Sequence, residues 1–320
     1  MSTELPRSRP LCVGIGEVLW DLLPSGKAIG GASLNVVAHA VQLGARGAIV
    51  SEVGDDADGW EIRRRLQVLG VDPTGVRVRP DLPTGLVDVQ LDASGVPTFT
   101  IRAPAAWDAI TMDAGREKLA GEADAVVFGS LAQRDPRSRE GIGSFLCALR
   151  PGCLKVFDIN LRPPFISAPV IIDSLELADV LKLNDAELPV LAEILGLAGN
   201  ETDRLRALRK RFDLDLVVYT RGEQGSRLLS AAGDESHPGC PANVVDTVGA
   251  GDAFTAAVTV GCLRGLELTR LQELANRVAA FVCSQAGAVP LLPKELADAF
   301  AETRGRDRTN NINNTNKGVQ

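Results

Sequence analysis

Residues 246–254 read Asp246-Thr-Val-Gly-Ala-Gly-Asp-Ala-Phe254, and the rest of the chain can be organised around this stretch. A small-residue, apolar run follows to about Cys262 and predicts a helix that begins at the glycines. The first amides of a helix lack internal partners and carry partial positive charge, and glycines let another molecule approach them closely. The stretch is therefore typical of an anion site, above all a phosphate site.

Asp252 is an unexpected neighbour for a bound anion, because two negative charges repel each other. Its position is explained if Asp252 takes a proton from a hydroxyl while the amides hold the phosphoryl group that this hydroxyl attacks. From these residues alone an alternative stays open. In that alternative residues 249–251 form an ordinary turn, and Asp252 is a first-turn acid favoured by the helix dipole.

Composition excludes several classes of protein. The 320 residues are 45% hydrophobic and 23% charged, which is ordinary for a globular chain. The net charge of −7 argues against non-specific nucleic-acid binding. No apolar run predicts a membrane span, and the first ten residues lack the apolar core of a signal peptide, so we expect a cytoplasmic protein. Six scattered cysteines without a Cys-x-x-Cys pair, and only two histidines, predict free thiols and no zinc site.

The N-terminal third lacks the two commonest phosphate-loop motifs. Gly14-Ile-Gly16 has no third glycine for a dinucleotide fingerprint, and Ser25-Gly-Lys27 is not followed by Ser or Thr. Gly30-Gly31 instead precedes a helical pattern that ends at Gly44. The double glycine would let a ligand sit against the backbone, and Asn35 in the first turn could both donate to it and accept from it. Asn35 could equally be a solvated or capping residue.

Two alternating, β-branched segments at 84–91 and 96–102 predict a hairpin joined by Asp92-Ala-Ser-Gly95. The hairpin interrupts a chain in which strands and helices otherwise alternate. It could therefore cover a site as a lid, or it could be a plain edge hairpin.

From residue 124 onward, apolar strands alternate with helical stretches, which predicts an α/β fold around a mostly parallel sheet. Ligands bind such sheets beyond the carboxyl ends of the strands. Polar groups follow three predicted strand ends, at 158–162, 184–187 and 220–222, which favours a site there. The predicted strands are Leu11–Ile15, Ala48–Val53, Asp124–Gly129, Leu154–Asp158, Val180–Leu183 and Asp215–Thr220.

The last part of the chain predicts two further strands, Ser226–Ser230 and Cys240–Val245, joined by a polar turn at Ala232–Pro238. Helices are predicted near 268–285 and 294–303. The tail after Gly305 has no hydrophobic periodicity and predicts disorder.

Taken together, these motifs resemble the PfkB/ribokinase family of sugar kinases, and within it the bacterial fructokinases. The match is strongest at 246–254, and Gly30-Gly31 with Asn35 matches the N-terminal signature of the family. The resemblance covers about residues 11–303. The fructokinase-like stretches are Gly16-Glu-Val-Leu-Trp-Asp21, Pro97-Thr-Phe-Thr-Ile101, Ala106-Trp-Asp108, Gly129-Ser-Leu-Ala-Gln133 and Asp158-Ile-Asn-Leu-Arg162.

This resemblance implies a ribokinase-like fold, in which a doubly wound, mostly parallel sheet has helices on both faces and a small β lid. The kinase domain would span residues 1–305, with the lid built from about 21–30 and 84–102. Residues 306–320 would be a disordered tail. Lid sheets often pair between subunits, so a homodimer is expected.

The resemblance also implies roles for individual residues. Asp252 matches the catalytic base, while Gly249, Ala250 and Gly251 match the anion hole and Arg162 a residue near the γ-phosphate. The sugar-binding positions are Asp21, Gly30, Gly31, Asn35, Trp107, Gln133, Asn160 and Asp252, of which Trp107 and Gln133 could equally be packing residues. The nucleotide-side positions are Lys182, Asn184, Glu187, Thr220, Gly222, Gly225, Asn276 and the anion hole.

Metal sites follow from the same resemblance. Glu187 would contact magnesium through water, although without its Asn-x-x-Glu motif it would be taken for an exposed helix carboxylate. Leu291 stands where some relatives have a hydroxyl residue. The ligands implied for a monovalent cation such as K⁺ are Asp246, Val248, Val282, Gln285 and Gly287.

The function implied is the phosphorylation of a primary sugar hydroxyl by ATP and magnesium, with D-fructose as acceptor and fructose 6-phosphate as product. Other acceptors remain open, namely 2-keto-3-deoxygluconate, ribose or a nucleoside. A protein of another class, a sugar or nucleotide sensor without catalysis, would have no need of Asp252 or of an intact anion hole.

Overall fold

The computed structural model describes residues 9–24, 26–91 and 97–301. The predicted turn at 92–95 and the predicted tail at 306–320 lie outside these residues. The described strands are β1 Leu11–Ile15, β2 Leu19–Leu23, β3 Gly26–Gly30, β4 Arg46–Gly54, β5 Val71–Asp72, β6 Val76–Arg79, β7 Gly85–Leu91, β8 Pro97–Ile101, β9 Ala125–Gly129, β10 Leu154–Asp158, β11 Val180–Asn184, β12 Leu216–Thr220, β13 Ser226–Ser230 and β14 Asp234–His237.

The helices follow the predicted alternation. They are α1 Ala32–Gln42, α2 Ala57–Val68, α3 Ala114–Glu122, α4 Pro136–Cys147, α5 Ala168–Leu177, α6 Glu187–Leu195, α7 Glu201–Arg211, α8 Ala250–Leu263, α9 Leu268–Cys283 and α10 Lys294–Ala301. Short 3-10 turns occur at Ala106–Ala109, Leu131–Gln133 and Gly222–Gln224. None of the described helices combines the length and the apolar composition that crossing a bilayer requires.

A large sheet forms the centre of the molecule, in the strand order β14-β13-β12-β11-β10-β9-β1-β4-β5, with β6 also pairing with β4. Neighbours from β12 through β9 and β1 to β4 run parallel, whereas β13 and β14 add antiparallel strands at one edge. The central strands are almost continuously buried because helices cover both faces. One face packs mainly against α3–α7 and the other against α1, α2 and α8–α10. The predicted doubly wound α/β fold is confirmed.

A second, four-stranded sheet lies apart from the first, in the order β3-β2-β7-β8. We call it the small sheet. It joins two distant segments, because β2 and β3 form an antiparallel pair, β7 and β8 form another, and β2 runs parallel to β7. The small sheet thus contains the strands predicted as a hairpin together with residues from the 21–30 segment.

One strand prediction is wrong. Residues 240–245 form no strand, and the edge strand β14 lies instead at Asp234–His237, inside the predicted polar turn. Pro241 lacks the amide that a ladder needs, whereas an edge strand can carry polar residues because its side chains stay partly exposed. The polar segment therefore pairs with β13, and the chain turns at residues 231–233.

Candidate active site

The start of α8 is an uncapped helix N-terminus at the carboxyl edge of the large sheet. Gly249 precedes the helix in a left-handed conformation with φ of 79°, and no side chain in the described part of the chain caps this end. A Cβ on Gly249 would lie 2.2 Å from the backbone oxygen of Ala288, so the position requires glycine. The amides of Gly251 and Asp252 have no partners within the helix and are available to an anion.

Asp252 lies against Asn35 from the first turn of α1. The Nδ2 of Asn35 donates to the Oδ2 of Asp252 at 2.8 Å, across 217 residues of sequence. Asn35 is only 6% exposed and caps no helix, so both the solvated and the capping alternatives are wrong. Its Oδ1 is buried and has no hydrogen-bond partner among the described residues. A buried acceptor of this kind would suit a donor that arrives with a ligand, such as a sugar hydroxyl.

The environment of Asp252 makes it a stronger base than an ordinary aspartate. Burial, followed by the negative charge of Asp158, raises the pKa of Asp252 from 3.8 to about 6. The hydrogen bond from Asn35 and the charges of Lys182 and Arg162 oppose this rise in pKa. A carboxylate that titrates near neutral pH is suited to accept a proton from a hydroxyl.

A buried ion pair lies beneath the anion hole. Lys182 Nζ is 3.1 Å from Asp158 Oδ1, and both side chains are less than a tenth exposed. Thr255, one turn after Gly251 on α8, places its hydroxyl 2.8 Å from Asp158 Oδ2. A Cβ on Gly251 would lie 3.2 Å from Lys182 Nζ, so the ammonium group lies next to the helix start. Positive charge is thereby held close to the two free amides.

Arg162 presents a free guanidinium group to the cleft. The side chain is exposed, and its only protein hydrogen bond in the described part of the chain is to the oxygen of Leu161, at 3.2 Å. Its positive charge opposes the rise in the pKa of Glu17, Asp21 and Asp252, which locates it near all three carboxyl groups. A guanidinium fork without a carboxylate partner is suited to phosphate oxygens.

The opposite wall of the cleft is formed by β2, β3 and the start of α1. A Cβ on Gly30 would overlap the Asp21 carboxylate. A Cβ on Gly31, where φ is 119°, would lie 2.2 Å from the backbone oxygen of Glu17. Burial raises the pKa of Asp21 to about 6. The buried Glu17 accepts the amide of Ala32 at 3.2 Å, and burial raises its pKa as well. Sequence reasoning missed Glu17, although its place directly after β1 was a signal.

The Asn184-x-x-Glu187 motif is a pair of reciprocal hydrogen bonds. Glu187 Oε2 accepts the Asn184 amide at 2.8 Å, and Asn184 Oδ1 accepts the Glu187 amide at 2.9 Å. Glu187 Oε1 also accepts the amide of Leu161 at 2.9 Å, which ties α6 to the loop that carries Arg162. Glu187 is 5% exposed, so its interpretation as an exposed helix carboxylate is wrong. In the same loop Asn160 has a φ of 37°, a left-handed conformation that is unusual outside glycine.

The predicted nucleotide-side residues lie along neighbouring strand ends. Asn184 is paired in register with Thr220, where β11 and β12 end side by side. The 3-10 turn Gly222–Gln224 follows, and Gly225 packs so closely against residues 237–239 that a Cβ would overlap their backbone. Asn276 on α9 donates to the hydroxyl of Ser226 at 2.8 Å and is almost fully buried.

Two of the predicted sugar-binding residues, Trp107 and Gln133, are buried by other parts of the protein. Trp107 is fully buried in the core. Gln133 is 7% exposed, and its Nε2 donates to the oxygen of Gly129 at 2.9 Å and to Ser174 Oγ at 3.0 Å. Both side chains thus have packing partners within the protein, and their contact with a sugar stays a prediction.

The residues implied for metal binding occupy two places. Asp246 accepts the amides of Val248 and Gly287, both at 3.0 Å, and so joins the segment before α8 to the segment after α9. Val282 lies in the last turn of α9 and Gln285 in the segment that follows it, while Leu291 is 86% exposed and offers no hydroxyl. In residues 9–24, 26–91 and 97–301 no cluster of three or more His, Cys, Asp or Glu could hold a metal ion. Both oxygens of Glu187 already accept backbone amides, those of Leu161 and Asn184.

The mostly parallel large sheet with helices on both faces, together with the small sheet, has a ribokinase-like fold. The model of the pfkB family carbohydrate kinases matches residues 25–295, and the chain belongs to this family. It is therefore a carbohydrate kinase.

Individual relatives resemble almost the whole chain. The uncharacterized sugar kinase PH1459 of Pyrococcus horikoshii is 30% identical over 313 residues, which cover 92% of this chain and 96% of the relative. Its crystal structure in complex with ATP has a TM-score of 0.77 and covers 90% of this chain and 99% of that one. Fructokinase of Escherichia coli is 28% identical, covering 87% and 95% of the two chains. Aminoimidazole riboside kinase of Salmonella enterica, in complex with aminoimidazole riboside and an ATP analog, is 26% identical with a TM-score of 0.75 and covers 91% and 99%.

Proposed function

We propose that the protein transfers the γ-phosphoryl group of ATP to a primary hydroxyl of D-fructose and forms fructose 6-phosphate. The observation that carries this proposal is the hydrogen bond between Asn35 and Asp252 beside the uncapped start of α8. It brings the side chain of Asn35, which would face the sugar, next to the proposed base Asp252. Asp252 lies in the same first turn of α8 as the proposed anion site. A sensor without catalysis would need neither a raised pKa at Asp252 nor free amides next to it.

Phosphoryl transfer demands positioning and charge stabilisation more than covalent chemistry. In the proposed reaction Asp252 accepts the proton of the acceptor hydroxyl, while the amides of Gly251 and Asp252 receive the transferring group. Arg162 binds its equatorial oxygens from the other side of the cleft, and Lys182 adds positive charge from below. When bound with ATP, magnesium supplies charge neutralisation between the phosphates, and the residues nearest to it would be Asn184 and Glu187.

The charges on the cleft wall formed by β2, β3 and the start of α1 support a neutral acceptor. Glu17 and Asp21 place two carboxyl groups there, and Arg162 is the cation whose charge acts on both. An acidic acceptor such as 2-keto-3-deoxygluconate would meet these carboxylates and would compete with phosphate for Arg162. The relatives named fructokinase agree with a neutral ketohexose. A riboside is the second candidate, because a relative of similar coverage is named for that acceptor.

The acceptor can be tested by measuring ADP release with D-fructose, 2-keto-3-deoxygluconate, ribose and aminoimidazole riboside, and by locating the phosphate on the product by phosphorus NMR. We expect the highest kcat/KM with D-fructose and phosphate on its C6 oxygen. A higher kcat/KM with a riboside would replace fructose in the proposal but retain the kinase site. ATP hydrolysis that no acceptor stimulates would overturn the proposed function.

The pH dependence of turnover should report the raised pKa of Asp252. We expect kcat/KM for the sugar to fall by about tenfold per pH unit below an apparent pKa of about 6, because protonated Asp252 cannot accept a proton. Steady-state rates at saturating ATP, with circular dichroism to show that the protein stays folded, provide the measurement. Asp21 also titrates near 6, so Asp21→Asn is the control. It should raise KM but keep the acidic limb, and loss of the limb in that variant would contradict the assignment to Asp252.

Two further proposals concern a cation and assembly. A monovalent cation such as K⁺ would bind where Asp246 joins the two segments described above, and replacing K⁺ by tetramethylammonium should then lower turnover.

A homodimer would form through the small sheet, whose Leu23 and Phe99 are exposed. Sedimentation velocity would measure this, and a monomer at enzyme concentrations well above those of the assay would contradict it.

A further inference from the structure

Arg134 is a buried arginine that follows the 3-10 turn Leu131–Gln133 and stands outside the residues assigned so far. Its side chain is 6% exposed, and that of its partner Asp108 is 2% exposed. The guanidinium group binds Asp108 through two atoms, with Nε at 2.7 Å from Oδ1 and Nη2 at 2.8 Å from Oδ2. Asp108 in turn accepts the amide of Ala105 at 2.9 Å, so the pair is fixed to the 3-10 turn Ala106–Ala109.

Two aromatic rings pack against the same guanidinium group. The Cζ of Arg134 lies 3.9 Å from the ring centroid of Trp107 and 4.6 Å from that of Phe165. Nη2 also donates to the backbone oxygen of Arg102 at 2.9 Å, just beyond the end of β8. Arg134 therefore contacts three segments at once, namely the exit of the small sheet, the 3-10 turn and the loop after β10.

The loop after β10 is the one that presents Arg162. The amide of Phe165 donates to the oxygen of Arg162 at 2.8 Å, so the two residues belong to one tight turn. A displacement of the Phe165 ring would therefore be transmitted to the backbone of Arg162. On the other side, the hydrogen bond to Arg102 attaches Arg134 directly to the last residues of the small sheet.

Stability alone is a weak explanation for this arrangement. Removing two charges from water costs about as much as their attraction returns, and apolar residues often replace a buried pair without loss. What apolar residues cannot supply is a planar group that stacks on two rings and hydrogen-bonds along its edge in fixed directions. The arrangement therefore fixes the relative positions of the segments it touches.

We propose that Arg134 is a positioning residue that couples the small sheet to Arg162. The coupling rests on the proposed function, in which Arg162 faces the transferring phosphoryl group and the small sheet covers the sugar. Arg134 then makes the position of Arg162 depend on the position of the small sheet. Arg162 reaches its working position only when the small sheet is in place, which would limit phosphoryl transfer to water when no sugar is bound.

A double-mutant cycle in kcat tests this coupling. We expect Arg134→Met to lower kcat by about 10- to 100-fold, because small misplacements of a group near the reacting atoms cost rates of this order. The KM for sugar should change little. In an Arg162→Ala background the same substitution should lower kcat by less than about threefold, since the group that it positions is already absent. A residue with a merely structural role would give losses that multiply.

Two further variants keep the test decisive. Phe165→Leu leaves the pair of Arg134 and Asp108 intact but removes the ring that links it to the loop, so it should give the same non-additive loss even if Arg134→Met fails to fold. Arg116→Met is the matched control. Arg116 is also buried and pairs with Glu52 at 2.8 Å, and none of its hydrogen-bond partners is a residue of the candidate site, so this variant should lose stability but keep kcat per folded molecule.

The outcomes separate the two proposals. Losses that multiply in an active enzyme, or a wild-type kcat in both Arg134→Met and Phe165→Leu, would overturn the coupling and leave the proposed function intact. A wild-type protein that no acceptor stimulates would overturn the proposed function, and the coupling with it. Non-additive losses with an unaffected Arg116→Met variant support the coupling.

Discussion

Replacing Asp252 with Asn should lower kcat by about 10²–10⁴-fold, which is the usual contribution of a positioned general base. The substitution removes the proton acceptor but keeps the shape of the side chain. Asn35 can still donate to the amide oxygen of the new residue, so the wall of the cleft should persist. We therefore expect KM for sugar and the affinity for ATP to stay close to wild type, as measured by steady-state kinetics and by calorimetric titration of ATP.

Stability provides an internal check on this variant. The carboxyl group of Asp252 loses its proton near pH 3.8 in the unfolded chain and near 6 in the folded protein. The unfolded state thus releases this proton first, and the ionised group costs stability at every pH above about 6. At neutral pH Asp252→Asn removes that cost, so its melting temperature should be no lower than that of the wild type. A low kcat could then not be attributed to unfolding.

Asp203→Asn is a matched control for this experiment. Asp203 occupies the same third position of helix α7 that Asp252 occupies in α8, but it is exposed, and its side chain accepts the amide of its cap, Asn200. The control should keep wild-type kcat. If Asp252→Asn kept kcat within a factor of about ten of wild type, the assignment of Asp252 as the base would have to be abandoned.

The second large effect should come from Gly249→Ala, which we expect to lower kcat by about 10²–10³-fold, the usual loss when one donor of an anion hole is displaced. A Cβ at this position would lie 2.2 Å from the Ala288 oxygen and 2.7 Å from the Ala288 Cα. Backbone on both sides must move to relieve this overlap. The start of α8 carries the two amides proposed to hold the phosphoryl group, and it would move with them.

Gly152→Ala separates this displacement from backbone strain. Gly152 also has a φ of 79°, but a Cβ there would meet nothing within 4 Å. Both substitutions place alanine in a left-handed conformation, which should cost about 1 kcal/mol of stability in thermal unfolding, and Gly249→Ala should cost more than this because of its overlap. Only Gly249→Ala carries the additional overlap and should lose turnover. Equal kcat values for the two variants would mean that the amides at the start of α8 do not act on the reacting group.

The sequence was sufficient to predict the central strands of the large sheet, because they are apolar runs buried on both faces and separated by amphipathic helices, but it did not predict the short strands β5 and β6. The edge strand β14 was not predictable in this way. Its residues are polar and pair with β13 through backbone groups, which leave no hydrophobic pattern in the sequence. Residues 240–245 have the apolar character of a strand, yet Val244 and Val245 are exposed in an irregular segment.

The candidate site likewise contains residues that the sequence could locate and residues that it could not. Asn35 and Asp252 lie in motifs with glycines that the sequence located, and the hydrogen bond between them shows that the two motifs meet in the fold. Thr255 and Arg134 have no local signal, because their importance comes from partners that are distant in sequence, whereas Glu17 could have been located from its place after β1. Trp107 shows the opposite case. Its place in a family-like stretch suggested a sugar contact, but only the fold reveals that Arg134 covers its ring.

The hydrogen bond between Asn35 and Asp252 spans 217 residues, and this separation has a consequence for biosynthesis. A nascent chain leaving the ribosome holds only one side of the cleft until α8 has been translated. Substrates that bind this cleft therefore cannot assist the early steps of folding. They can stabilise only the finished polypeptide, so its first two hundred residues must depend on their own packing, or on chaperones, to escape aggregation.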